Sequence, residues 1–246
     1  MFFTTDDTST GMKKILLLVG ILLSGISLLA QQVEGTYKSD VDSIAFSNDR
    51  VIFRISGFGG LSSAQIGEGT YELSGDYLFI HTSDYSGQKS TVELWDATTT
   101  DTCVVHTVSL QNFSVQGILV ESHNKSGKLI SGKVTGNDGK VFFTPCDKII
   151  SISATSLGYN AISFDYTPGK NYRIRLAEND IIENRTVAFK INFIDEETLS
   201  LLMLTDNFDT NKKRDNELLK LEKRAQKTNK LDKRLKKVYI PYNRKN

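Results

Sequence analysis

Few residues in this chain have the types and spacing that chemistry needs. His81, His106 and His123 lie far apart, without the short ligand spacings of a metal centre. Ser62 and Ser63 lack the G-x-S-x-G turn that presents a nucleophile. Asp195, Glu196 and Glu197 form a carboxylate cluster, but it falls where a hairpin tip is expected. There, solvated carboxylates serve a turn better than an acid–base pair. Gly57, Gly59 and Gly60 follow a strand-like run, as a phosphate-cradling loop would. The stretch from Leu61 to Ile66 is too short for the helix whose amides hold a pyrophosphate, and no G-K-[ST] follows. The sequence therefore predicts no catalytic residues, no metal ligands and no cofactor. An enzyme would need a site assembled from scattered residues. Two cysteines, Cys103 and Cys146, form a disulfide if the chain meets oxidising conditions and the geometry allows it. Otherwise they are two reduced thiols.

The densest cluster of one chemistry is at the end of the chain. Residues 211–246 hold 14 Lys and Arg against 4 Asp and Glu, whereas the 246-residue chain has a net charge of only +1. Leu218, Leu221, Ala225, Leu231, Leu235 and Val238, with Thr228 completing the stripe, recur every three or four residues, which predicts an amphipathic helix over 215–237 with a narrow apolar seam. That seam is too thin for full burial, so the helix is expected to project from the rest of the molecule. Lys212, Lys213, Arg214, Lys223, Arg224, Lys233, Arg234, Lys236 and Lys237 become candidate contacts for an acidic partner. The alternative is a solvated helix whose seam rests on its own β body.

The remainder must supply the scaffold. Apolar residues at 39% can fill a core. Ile44 and Phe46, then Val51, Phe53 and Ile55, alternate at the strand period around a turn at Asn48 and Asp49. Tyr71, Leu73 and the run from Tyr77 to Ile80 flank Ser74, Gly75 and Asp76. Val187, Phe189, Ile191 and Phe193 alternate into a hairpin at 195–198. Gly136, Asn137, Asp138 and Gly139 carry a strong hairpin signal. The expected fold is all-β, an antiparallel sandwich or barrel-like body flanked by an N-terminal signal helix and the basic C-terminal helix. Four regions are expected: 1–30, a β-rich block at 33–110, a sandwich plus hairpin at 114–205, and the helical tail at 211–246.

Two family resemblances follow from these residues. Val115 and Gly117, then Thr135, Gly139 and Lys140, then the Ile150–Ser153 run and Leu157-Gly158-Tyr159 resemble carboxypeptidase-regulatory-like domains. That likeness implies a transthyretin-like sandwich in exported proteins of Bacteroidetes-type bacteria, often a non-catalytic accessory module. Its name does not bring zinc peptidase activity, since no H-x-x-E motif is present. Gly35-Thr36-Tyr37 and Gly69-Thr70-Tyr71 resemble the strand starts of small lipocalin-like domains. That second likeness implies a barrel with a ligand mouth, which a loop near residues 56–69 could gate.

Lys13 and Lys14 followed by an apolar stretch to Leu29 and a small residue at Ala30 read as a cleaved signal peptide, with translation starting at Met12. No cysteine follows for lipidation. The chain is thus expected in the periplasm or secreted, not membrane-spanning after cleavage, and away from nucleic acid. The leading functional expectation is a non-catalytic binding or accessory module for an envelope protein or an anionic surface polymer. The alternatives are a carrier of a small apolar ligand and an enzyme with an unrecognised site.

Overall fold

The computed structural model describes residues 33–56, 63–228 and 233–239. The expected signal peptide and glycines 57, 59 and 60 lie outside the described residues. Five strands come first: β1 (Gly35–Ser39), β2 (Asp42–Ser47), β3 (Arg50–Ser56), β4 (Ala64–Ser74) and β5 (Tyr77–Thr82). Eight follow: β6 (Thr91–Asp96), β7 (Cys103–Ser109), β8 (Leu119–His123), β9 (Leu129–Val134), β10 (Lys140–Phe143), β11 (Ser151–Thr155), β12 (Ile162–Asp165) and β13 (Lys170–Leu176). The last are β14 (Asp180–Ile181), β15 (Thr186–Phe193), β16 (Thr198–Thr205), helix α1 (Arg214–Lys227) and β17 (Lys233–Val238).

Eight strands close into an antiparallel barrel in the order β4-β3-β2-β1-β17-β16-β15-β5, with β5 pairing back to β4. Its short hairpins form where the chain tolerates positive φ. Asn48 turns β2 into β3 at φ 56, and Gly75 turns β4 into β5 at φ 58. Each strand then alternates: Val51, Phe53 and Ile55 are buried while Ile52 is exposed. Phe53 and Phe189 meet edge to face at 5.3 Å and fill the lumen at their level, as an eight-stranded barrel is just wide enough for side chains to do. Glycine makes that closure possible. A Cβ on Gly67 would stand 2.8 Å from the Phe53 ring, and one on Gly69 would stand 1.9 Å from the His81 carbonyl oxygen.

The strands from β6 to β13 form a sandwich inserted between β5 and β14. One sheet runs β10-β7-β13-β6 and the other β12-β11-β8-β9. Cys103, Val105, Phe143, Ile152 and Tyr172 lie in the core between them. Three expectations about domain layout are corrected by this topology. Strands β6 and β7, read with the first block, pair with β13 and β10 in the sandwich. The β15–β16 hairpin, grouped with the sandwich although the sequence leaves open its return to the first block, belongs to the barrel. Gly136 to Gly139 do form a tight turn, the Gly139 N–H donating to the Gly136 carbonyl at 2.9 Å. That turn carries the chain from one sheet to the other and makes no hairpin. Within the stretch from 56 to 69, read as a loop, the residues from Ala64 onward are β-strand.

The tail departs most from its expectation. The helix ends at Lys227, and residues 233–238 are the strand that closes the barrel between β1 and β16. Leu235 is its one fully buried residue, opposite Leu199. Lys233 and Lys237 occupy inward positions at either side, where their long aliphatic stems fill space and their ammonium groups meet a polar or aromatic partner. A strand with lysines facing inward shows no period-two hydrophobicity, so the helical period prevails in the sequence. The helix does not project either. Leu218 and Ala225 pack with Phe79, Ala188, Leu204 and Phe208 on the outer surface of β5, β15 and β16.

Candidate anion-binding surface

Two polar latches supplement the apolar contact of α1. Arg214 makes a two-pronged ion pair with Glu72, at 2.9 and 3.1 Å, while its guanidinium lies 3.9 Å above the Phe79 ring. At the next turns, Glu222 accepts from the Tyr77 hydroxyl and from Lys190 Nζ at 3.1 Å. That carboxylate raises the Tyr77 hydroxyl to about 12, with burial adding to the effect. The Tyr77 bond, reinforced by Lys190, holds Glu222 below the ordinary carboxylate range.

These contacts sort the nine candidate cations. Arg214 is consumed by Glu72. Lys212 stands 3.6 Å from Asp209 and 4.0 Å from Glu217. Lys233 turns into the mouth of the barrel, 3.5 Å from the buried Asp42 carboxylate and 3.2 Å from Ser56 Oγ. Lys237 lies near the rings of Tyr37 and Tyr239. Among the described residues Lys213, Lys223, Arg224, Arg234 and Lys236 have no carboxylate within ion-pair distance. Strand alternation turns Arg234 and Lys236 outward, because Leu235 between them faces the lumen.

The register adds a residue that sequence reasoning missed. Lys38 on β1 stands directly opposite Lys236, both exposed. Like charges at directly opposed positions oppose sheet formation by about 0.2–1 kcal/mol. Asp195 is the acidic group that feels Lys236 from further off. Its carboxylate is held below its usual range first by the Glu197 N–H and least by Lys236. No sequence pattern links Lys38 to the tail. Only a count of seven barrel strands lacking an eighth would have pointed there.

The other chemical candidates separate. His81, His106 and His123 sit on β5, β7 and β8, and contact Thr186, Ser114 and Glu121 respectively. Among the described residues no group of three or more His, Cys, Asp or Glu converges on a metal-sized site. Of the two readings open for the cysteines, the structure has free thiols: Cys103 is buried and Cys146 is exposed. Burial raises the Cys103 thiol to about 11. Asp195 and Glu197 bond within the β15–β16 turn. No helix among the described residues is long and apolar enough to cross a membrane. No family model, curated protein or solved structure matches the chain.

Proposed function

We propose that this protein is an exported, non-catalytic binding module that docks on an anionic envelope polymer through the outer face of β1 and β17. The observation that carries this reading is the Lys38–Lys236 pair, two exposed cations directly opposed, with no carboxylate among the described residues at ion-pair distance. A fold tolerates such repulsion where a ligand anion relieves it. Arg234 extends the charge along β17. The signal-like segment and the likeness to carboxypeptidase-regulatory-like accessory domains support the same setting. The carrier reading is weaker, since Phe53 and Phe189 occupy the lumen where an apolar ligand would sit.

The test is retention of the purified protein on immobilised polyphosphate across a salt gradient. Binding should fade as the Debye length falls from about 10 Å at 0.1 M to about 3 Å at 1 M. The double variant Lys38→Glu with Lys236→Glu should bind at least about tenfold more weakly, equivalent to about 1.4 kcal/mol. Retention that ignores salt, or that the double variant keeps, would refute the proposal.

A further inference from the structure

A cleft of about 440 Å³ lies where the sandwich is inserted into the barrel. Both chain crossings line it, the one after β5 and the one before β14, together with the loop between β7 and β8. Ile66, Leu176 and Ile181 give it an apolar floor. Tyr85, Gln88, Gln111, Glu178 and Asn179 form its polar lining. The volume falls within the range of small-molecule sites, which favour junctions between bodies of a fold.

The walls are fixed before any ligand arrives. Ser90 Oγ donates to the Asn160 carbonyl at 2.7 Å and accepts from the Ala177 N–H at 3.0 Å. The Asn160 N–H donates to the Ala177 carbonyl at 2.8 Å, which ties the second crossing to the sandwich. On the barrel side, Arg54 donates to Asn179 Oδ1 at 3.3 Å, and the Tyr85 N–H donates to Glu183 at 2.6 Å. A Cβ on Gly87 would stand 2.5 Å from the Tyr85 ring, so glycine there lets the ring lie flat against the backbone.

Four of the lining polar groups are nonetheless without an internal partner. Among the described residues, the side chains of Gln88, Gln111 and Glu178 and the Tyr85 hydroxyl make no internal hydrogen bond. Convergent amides, a hydroxyl and one carboxylate offer both donors and acceptors. Among the described residues the lining contains no lysine, arginine or histidine, so it does not suit an anion. An apolar ligand would leave these groups unpaired. Amides, a hydroxyl and a carboxylate beside an aromatic ring suit a ring of hydroxyl groups with apolar C–H faces.

We propose that this cleft binds a neutral sugar unit of an oligosaccharide. The proposed role is binding and not cleavage, because glycoside hydrolysis needs two opposed carboxylates and Glu178 is the one acid among the described residues of the lining. The proposal is independent of the cationic face, and salt separates the two.

Saturation-transfer NMR of the full-length protein with millimolar glucose, maltose and N,N′-diacetylchitobiose is the test. At least one disaccharide should receive saturation, undiminished in 1 M salt. Gln111→Ala and Glu178→Ala should each weaken that binding about tenfold, and Gln88→Trp should block it. These side chains are exposed and make no internal bonds, so unchanged thermal melts should confirm that the variants fold. Three results would overturn the proposal: no transfer to any of the three sugars, transfer that fades in high salt, or binding that survives the substitutions.

Discussion

Leu218→Ala tests whether α1 is truly part of the barrel. Leu218 is 2% exposed and packs with Phe79, Phe208 and Leu204. Truncating a buried leucine costs about 2–5 kcal/mol, and the low end applies where a helix on a sheet can settle into the gap. About 2.5 kcal/mol is therefore expected, or roughly 5–10 °C in Tm for a folding unit of this size. The polar latches should cost less. Glu72→Gln breaks a pair whose side chains are 39% and 49% exposed, and such pairs contribute about 0.2–1 kcal/mol. Glu222→Ala leaves the Tyr77 hydroxyl and Lys190 without their acceptor, at about 1–3 kcal/mol. The expected order in urea unfolding is Leu218→Ala, then Glu222→Ala, then Glu72→Gln. Hydrogen exchange should show the amides of α1 opening in Leu218→Ala before those of β5 and β15. A loss below about 0.5 kcal/mol for Leu218→Ala, or helix amides that exchange freely in the unaltered protein, would refute the docked arrangement.

Lys236→Glu alone should move stability and polymer binding in opposite directions. It converts the Lys38–Lys236 repulsion into a cross-strand ion pair worth about 0.2–1 kcal/mol, visible as a small rise in Tm, while polyphosphate retention falls. Acid should loosen the helix. Glu222 and Glu72 have folded pKa values lowered below their ordinary 4.5, by Tyr77 and Arg214 respectively. Their stabilisation is therefore complete above about pH 4.5 and is lost as pH falls through the lower folded values, and Glu222→Gln should flatten that acid limb in a series of melts. At neutral pH a thiol reagent should label one cysteine rapidly in the folded protein, Cys146, and reach Cys103 only on unfolding. Two rapid labels would disprove the burial of Cys103.

What the sequence made legible was local. The Asn48, Gly75 and Asp195 turns and the alternation of the strands beside them need only neighbouring residues, and each hairpin is where its turn chemistry places it. Long-range pairings left no such mark. Strand β13 lies parallel to β7 with five strands between them in sequence, and β1 finds β17 at the far end of the chain. The tail misled for a specific reason: Lys233 and Lys237 hold inward positions that a strand pattern reserves for apolar residues. The cleft was invisible because Tyr85, Gln111 and Glu178 come from three separate connections and form no motif.

The pairing of β1 with β17 sets the timing of assembly. A chain that emerges N-terminus first presents β1 long before its partner exists, and β16 stays open on its other side. Both edges carry unpaired backbone groups until the final strand arrives, so every shorter nascent chain has an incomplete ring. Closure over so long a separation is entropically slow. Strand β17 thus acts as a clasp, keeping the barrel unsealed until the strands before it have been delivered. A chain lacking β17 would be left with two sticky edges, open to pairing with copies of itself.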